Sequence, residues 1–276
     1  MFIPRGYEVP KLSEMEKMVV RQYLWEALCK DHEGKMILMW SASTSPWCNP
    51  YCQARHKNKN SICSKCFSIA LTEMRESLRN KLERNTVLWT TEIIPIDCFP
   101  VLPVSLFRLE SFGDLNNIVH LTNFFNFCLA NPAVRFALWT KNTFLFKLAR
   151  ELGIDKPANL IIIESSPLFN TPITPSDEWV DKTFTVWTKE YVDADFINCG
   201  KKKCVECQNC YKIDGPTEIN ELVKSAQMMK PRAYLKKVDG QWFARQKCGG
   251  FVAMARTKAE CEKICRAMGY VPEKAA

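Results

Sequence analysis

The sequence predicts an α/β fold, a parallel sheet of about six strands wrapped by helices, with a small C-terminal ββα appendage. Three observations predict it. Short apolar runs of strand length alternate with segments of helical period between residues 36 and 198. Polar residues follow the ends of successive runs, as they do where βα loops converge at one end of such a sheet. Charge is also uneven: residues 230–276 carry eleven Lys and Arg against four Asp and Glu, while the first 229 residues hold 27 against 26, so nearly all of the net +8 belongs to the tail. With 276 residues, 47% of them hydrophobic, the chain can bury a full core. The expected divisions are an N-terminal helical segment over 1–34, a cysteine-rich α/β domain over 35–228 and a basic module over 229–276.

Taken in order, residues 12–30 place Met15, Met18, Val19, Leu24, Ala27 and Leu28 near a helical period. Met36 to Trp40 reads as a buried strand that leads into a first group of cysteines, and a long helix is expected from Cys66 to about Arg84. Val101 to Leu109 is the next strand, with Phe112-Gly113-Asp114 turning into a helix near Asn116 to Ala130. Val134–Trp139, Leu160–Ile163, Phe184–Trp187 and Phe196–Asn198 complete the strands. In the tail, two β-like arms over 233–246 flank Asp239-Gly240, a strong hairpin signal, and Thr257 with Glu260 three residues on caps a helix ending near Met268.

Eight of the fourteen cysteines form two tight groups. Cys48, Cys52, Cys63 and Cys66 are spaced Cys-x3-Cys-x10-Cys-x2-Cys, and Cys199, Cys204, Cys207 and Cys210 are spaced Cys-x4-Cys-x2-Cys-x2-Cys. Each group supplies the four thiolates that zinc or an iron–sulfur cluster of the four-iron kind requires, from a loop short enough to keep closure entropy low. Disulfides are the competing reading. The first fourteen residues lack a secretory pattern and no apolar run approaches the ~18 residues of a membrane span, so a reducing cytoplasm without a membrane partner is expected. Cys29, Cys98, Cys128, Cys248, Cys261 and Cys265 read as small buried hydrophobes, the last two an i, i+4 pair. Lys201 to Lys203 would offset thiolate charge beside the second group. No Ser-His-Asp order, Gly-rich phosphate loop or HExxH helix occurs, which removes the usual support for hydrolase and nucleotide-triphosphatase activity.

The strand-end candidates for a small-molecule site are Ser41 and Ser43, then Glu110, Ser111 and Asp114, then Thr140 and Lys141, then Glu164, Ser165 and Ser166, and finally Thr188 and Lys189. Singly each suits an N-cap or a turn. Their joint placement at one end of the sheet is what points to a site.

The ordered set of a cysteine loop, FRLESFGDL, FALWTKN, NLIIIESSPL and INCGKKKCVECQNCY resembles the phage gene-product-88 family over roughly residues 35–225. The resemblance implies a partial parallel (β/α) barrel of the radical S-adenosylmethionine kind, in the host cytoplasm if phage-encoded. It further implies an iron–sulfur site after the first strand and a second four-cysteine site, of iron–sulfur or zinc, after the last. The turn formed by Glu110, Ser111, Gly113 and Asp114, with Thr140, Lys141 and Ser165 nearby, would then hold the S-adenosylmethionine cofactor. Such barrels present Cys-x3-Cys-x2-Cys, whereas Arg55 stands where the third cysteine would fall, so Cys63 or Cys66 would replace it. If all four ligate, the site is a closed one that equally suits zinc.

The basic tail carries its own expectation. Lys236, Trp242, Phe243 and Arg245 on one strand face would contact nucleic acid phosphates; alternatively, Trp242 and Phe243 pack on the helix. The sequence thus leaves an enzyme with a redox or radical cofactor and a zinc-stabilised nucleic-acid-binding or interaction protein as the two functional classes.

Overall fold

The computed structural model describes residues 1–31, 34–192, 195–223, 232–245, 251–268 and 271–274. His32 and Cys248 lie outside them. The chain divides into two units, residues 1–64 with 80–223, and residues 65–79 with 224–276. The first residues do not stand apart: the Phe2 amide donates to Asn126 Oδ1 at 2.6 Å, within the larger unit.

Helix α1, Glu14–Ala27, starts at a capping box: the Ser13 amide donates to Glu16 Oε2 at 2.7 Å and the Glu16 amide to Ser13 Oγ at 3.4 Å. Leu24 and Ala27 are buried, while Met15, Met18 and Val19 are exposed. Strand β1, Cys29–Lys30, pairs antiparallel with β2, Trp40–Ala42. The strand expected at Met36–Trp40 thus begins only at Trp40. Gly34–Met36 is a 3-10 turn and Leu38 has φ 68°, which breaks extended backbone. Helix α2 is Pro50–Lys57, and the expected long helix is split into α3, Phe67–Met74, and α4, Glu76–Thr90, by Arg75 at φ −130°, ψ 87°.

Next come β3 (Leu106–Leu109), α5 (Ile118–Ala130), β4 (Arg135–Thr140), α6 (Phe144–Glu151), β5 (Leu160–Ser165), β6 (Lys182–Trp187), α7 (Cys204–Cys207) and β7 (Glu218–Leu222). Strands β2 to β7 are all parallel and lie in sequence order, with β1 at the edge. Sequence-order parallel strands joined by right-handed crossovers carry their helices on one face and curl toward a partial (β/α) barrel. Two expectations change here. The segment Phe196–Asn198 is not a strand; Cys199 makes only an isolated bridge to Glu221, and the sixth parallel strand is β7. The second cysteine group therefore lies between β6 and β7, not after the last strand.

Strand alternation separates two cores. Phe107, Phe136 and Leu138 point to the helices, where Trp89 and Phe124 meet edge-on with ring centroids 5.0 Å apart. Each such buried aromatic contributes about 1.5–3 kcal/mol from area alone. On the other face Met39, Leu106, Ala137, Ile161, Ile163 and Ile219 form a second cluster, and Tyr211 with the half-buried Cys199, Cys204 and Cys210 packs onto it. The loop carrying the second cysteine group thus fills the inner face of the sheet.

In the second unit, β8 (Arg232–Val238), β9 (Gln241–Arg245), β10 (Phe251–Ala255) and β11 (Val271–Lys274) form a sheet in the order β10-β9-β8-β11, with α8 (Lys258–Ala267) between the last two in sequence. The expected hairpin is present, with Asp239 at φ 48° and Gly240 at φ 81° as a two-residue turn with both φ values positive demands. Thr257 Oγ1 accepts from the Glu260 amide at 3.3 Å, capping α8. Strands β10 and β11 extend the expected ββα outline. Leu235, Ala244, Val252 and Ala253 pack with Cys261 and Cys265 of α8. Among the described residues no helix is long and apolar enough to cross a membrane.

Candidate metal centre

Cys199 follows β6 and is held beside β7 by its amide, which donates to the Asn220 carbonyl at 3.0 Å. Lys203 caps the short helix α7, which carries Cys204 and Cys207, and Gln208 at φ 56° then turns the chain into the 3-10 segment Asn209–Tyr211 with Cys210. Gln208 Oε1 accepts from Arg135 Nη2 at 2.9 Å, tying the loop to the start of β4. The result is that all four cysteines of the second group line one pocket, together with Lys35, Met36, Arg108, Trp139, Tyr211 and Ile219.

The charged residues lining the pocket are Lys35, Arg108 and Lys202. Lys35 Nζ lies 3.5 Å from Cys199 Sγ and also donates to Glu221 Oε1. Burial would lower the Lys35 pKa, but Glu221 and Cys199 outweigh it and hold the ammonium above its usual range. Arg108 lies over the Trp139 ring, 4.1 Å from its centroid, and burial lowers the pKa of Lys182 at the start of β6, with Cys210 opposing. Burial raises the thiol pKa of Cys199 and Cys204 and pushes that of Cys210 up to about 12, the neighbouring cysteines adding to the last. Among the described residues no group of three or more His, Cys, Asp or Glu is gathered at metal-ligand spacing. The donor set fits a metal in number, type and shared pocket, and its sulfurs stand short of ligand closure.

The first group is arranged differently. Asn49 caps α2 by accepting from the Tyr51 amide at 2.9 Å and the Cys52 amide at 3.3 Å, which puts Cys52 in the first turn of α2 and exposed Cys48 just before it. Cys63 lies in the 3-10 segment Ile62–Lys65, its carbonyl 2.9 Å from His56 Nδ1. Cys66 belongs to the smaller unit, where it is the N-cap of α3.

The strand-end residues do come together at the carboxyl edge of β2 to β5, and Glu110, Asp114, Thr140 and Glu164 are engaged by other groups of the chain. Glu110, at φ 56°, accepts from Thr44 Oγ1 at 2.9 Å. His120 Nε2 stands 3.3 Å from Glu110 Oε1, off the hydrogen-bonding line. Asp114 accepts from Thr140 Oγ1, from the Lys141 amide at 3.0 Å and from its neighbour Leu115. Burial raises its pKa, with Lys141 and Thr140 opposing. Ser165 ends β5, and Glu164 before it accepts from the Ser176 amide and hydroxyl, each at 2.8 Å. A Cβ on Gly113 would sit 2.6 Å from Thr44 Oγ1, 2.7 Å from Glu110 Oε2 and 2.8 Å from the Thr44 carbonyl. The space beside that glycine is filled by the chain itself. Ser111 Oγ is buried without a hydrogen-bond partner, and one hydroxyl does not make a site for a group as large as S-adenosylmethionine. The turn does not fit that cofactor.

In the smaller unit Trp242 and Phe243 are adjacent in β9 and must point to opposite faces. Trp242 packs with the α8 core, with Lys258 Nζ 5.8 Å from its ring centroid. Half-buried Phe243 pairs across the sheet with exposed Lys236 and Met254. The expected shared face of Trp242 and Phe243 is thus corrected by the register.

The sequence reading missed Lys35, Arg108 and Lys182. A basic residue inside an apolar strand run, as Arg108 is in Leu106–Leu109, was the available signal. Compared with protein-family models, curated proteins and solved structures, the chain matches none.

Proposed function

We propose that this chain is a thiolate metalloprotein whose second cysteine group, Cys199, Cys204, Cys207 and Cys210, holds a single ion, zinc by preference, inside the partial barrel. The observation that carries this reading is the shared pocket of four cysteines faced by Lys35 and Arg108. Four thiolates around a divalent ion leave a charge of −2, and a buried charge must be compensated. Lys35, Arg108 and Lys202, which line the pocket, supply positive charge to do so. Four sulfurs from one short loop, lining one pocket, suit the tetrahedral shell of a single zinc ion. Metal binding would draw the protonated sulfurs together, each releasing its proton. Cys48, Cys52 and Cys63 of the larger unit would offer thiolates for a further centre on the segment after β2, the position of the iron–sulfur loop in the barrels the sequence resembles. No catalytic residue follows from this reading.

The test is metal and sulfide per chain after anaerobic purification, for wild type, Cys204→Ser and Cys210→Ser. Each variant is expected to lose about one metal equivalent. Unchanged metal content in both would refute the assignment.

A second reading attaches to the smaller unit, because Phe243 lies between Lys236 and Met254 as a stacking ring beside a cation. Fluorescence anisotropy with labelled single-stranded DNA and RNA should show binding that falls steeply with salt and is weakened in Phe243→Ala; no binding at low salt would dispose of it.

A further inference from the structure

Arg108 sits in the middle of β3, paired with Ser41 of β2 and Ala137 of β4, and its side chain reaches the cysteine-lined pocket on the inner face. The partners of its guanidinium are a thioether and an indole. Nη1 donates to Met36 Sδ at 2.9 Å, and the guanidinium carbon lies 4.1 Å from the Trp139 ring centroid. Neither carries charge. Nε is buried and has no hydrogen-bond partner. A guanidinium is always protonated and its N–H groups form a rigid fork, so a buried Nε–H without an acceptor costs free energy until one arrives. The nearby carboxylate of Glu221 is engaged by Lys35. The pocket that Arg108 lines is also lined by Cys199, Cys204, Cys207 and Cys210.

We propose that Arg108 is a positioning residue for the metal centre of the second group, donating its Nε–H to a metal-bound sulfur of that group. The inference rests on the metal reading of that group. A metal-bound thiolate sulfur keeps lone pairs that accept hydrogen bonds, and such a sulfur would give the orphaned Nε–H the acceptor it lacks. Outer partners of this kind orient ligands and tune the metal. The stack between Met36 and Trp139 holds the fork in place beforehand.

The test uses the full chain with Cys48→Ser and Cys52→Ser as background, so that the second group dominates the signal. Zn²⁺ affinity is measured by competition with a chromophoric chelator, and Co²⁺ is the spectroscopic probe. Arg108→Met should weaken zinc by about 10- to 100-fold and shift the sulfur-to-cobalt charge-transfer band. Arg108→Lys, which keeps the charge and the stem but lacks the fork, should bind with intermediate affinity and a shifted band, and it decides the matter if the methionine variant fails to fold. Background-level affinity and an unshifted band in Arg108→Lys or Arg108→Met, with metal lost in Cys204→Ser, would overturn the role of Arg108 and leave the metal site standing. A background protein that takes up neither ion would overturn both.

Discussion

Gly113 has no room for a side chain, because the atoms a Cβ would meet include the Thr44 carbonyl at 2.8 Å, and backbone cannot rotate aside as a side chain can. Gly113→Ala should therefore cost about 1–3 kcal/mol in urea unfolding, as overpacking does. A loss under 0.5 kcal/mol would show that the strand-end network is looser than described. Arg150 and Asp177 offer a separate test, since Nη1 and Nη2 of Arg150 donate to the two carboxylate oxygens at 2.8 and 2.7 Å. The Arg150 hydrogen bonds hold the Asp177 pKa below its ordinary 3.8. A depressed pKa contributes stability above the unfolded value, and that stability is lost as pH falls through the folded one. Asp177→Asn should thus be less stable than wild type at pH 7, by about 1 kcal/mol, with the gap closing below about pH 3.8. A gap that widens toward acid would contradict the pairing.

Turn chemistry decides the smaller unit's hairpin. With Gly240 at φ 81°, a β-branched residue there is strained, and Gly240→Val should destabilise by about 1–2 kcal/mol. Hydrogen exchange would show lost protection in β8 and β9 while β4 and β5 stay protected; unchanged protection in β8 and β9 would refute the turn assignment. That hairpin was legible because Asp239-Gly240 is a local signal. Strands β4 and β5 were legible too, since Phe136, Leu138, Ile161 and Ile163 belong to runs buried on both faces, as parallel strands are. Strand β7 was not, because Glu218–Leu222 has an apolar side chain only at Ile219 and Leu222 and takes its conformation from pairing with β6. Met36–Trp40 misled for the opposite reason. Its apolarity reflects burial of Met39 against the inner face, not extended backbone. The cysteines announced themselves by spacing, whereas Lys35, Arg108 and Lys182 meet the second group only after strands far apart in sequence assemble.

At the scale of the larger unit, the second cysteine loop lines a pocket on the inner face of the sheet, where a metal would gather its four sulfurs and basic side chains would offset the thiolate charge. A ligand that binds only the folded chain stabilises it by mass action, about 2.7 kcal/mol at one hundred times its Kd. Stoichiometric zinc should therefore raise the urea midpoint and a chelator should lower it again, and a midpoint indifferent to both would count against the site. The most direct measurement is zinc K-edge X-ray absorption on the chain carrying Cys48→Ser and Cys52→Ser. The account predicts a single shell of four sulfurs at about 2.3 Å from the ion. A shell of nitrogen and oxygen, or a protein left without zinc by those two substitutions, would contradict it.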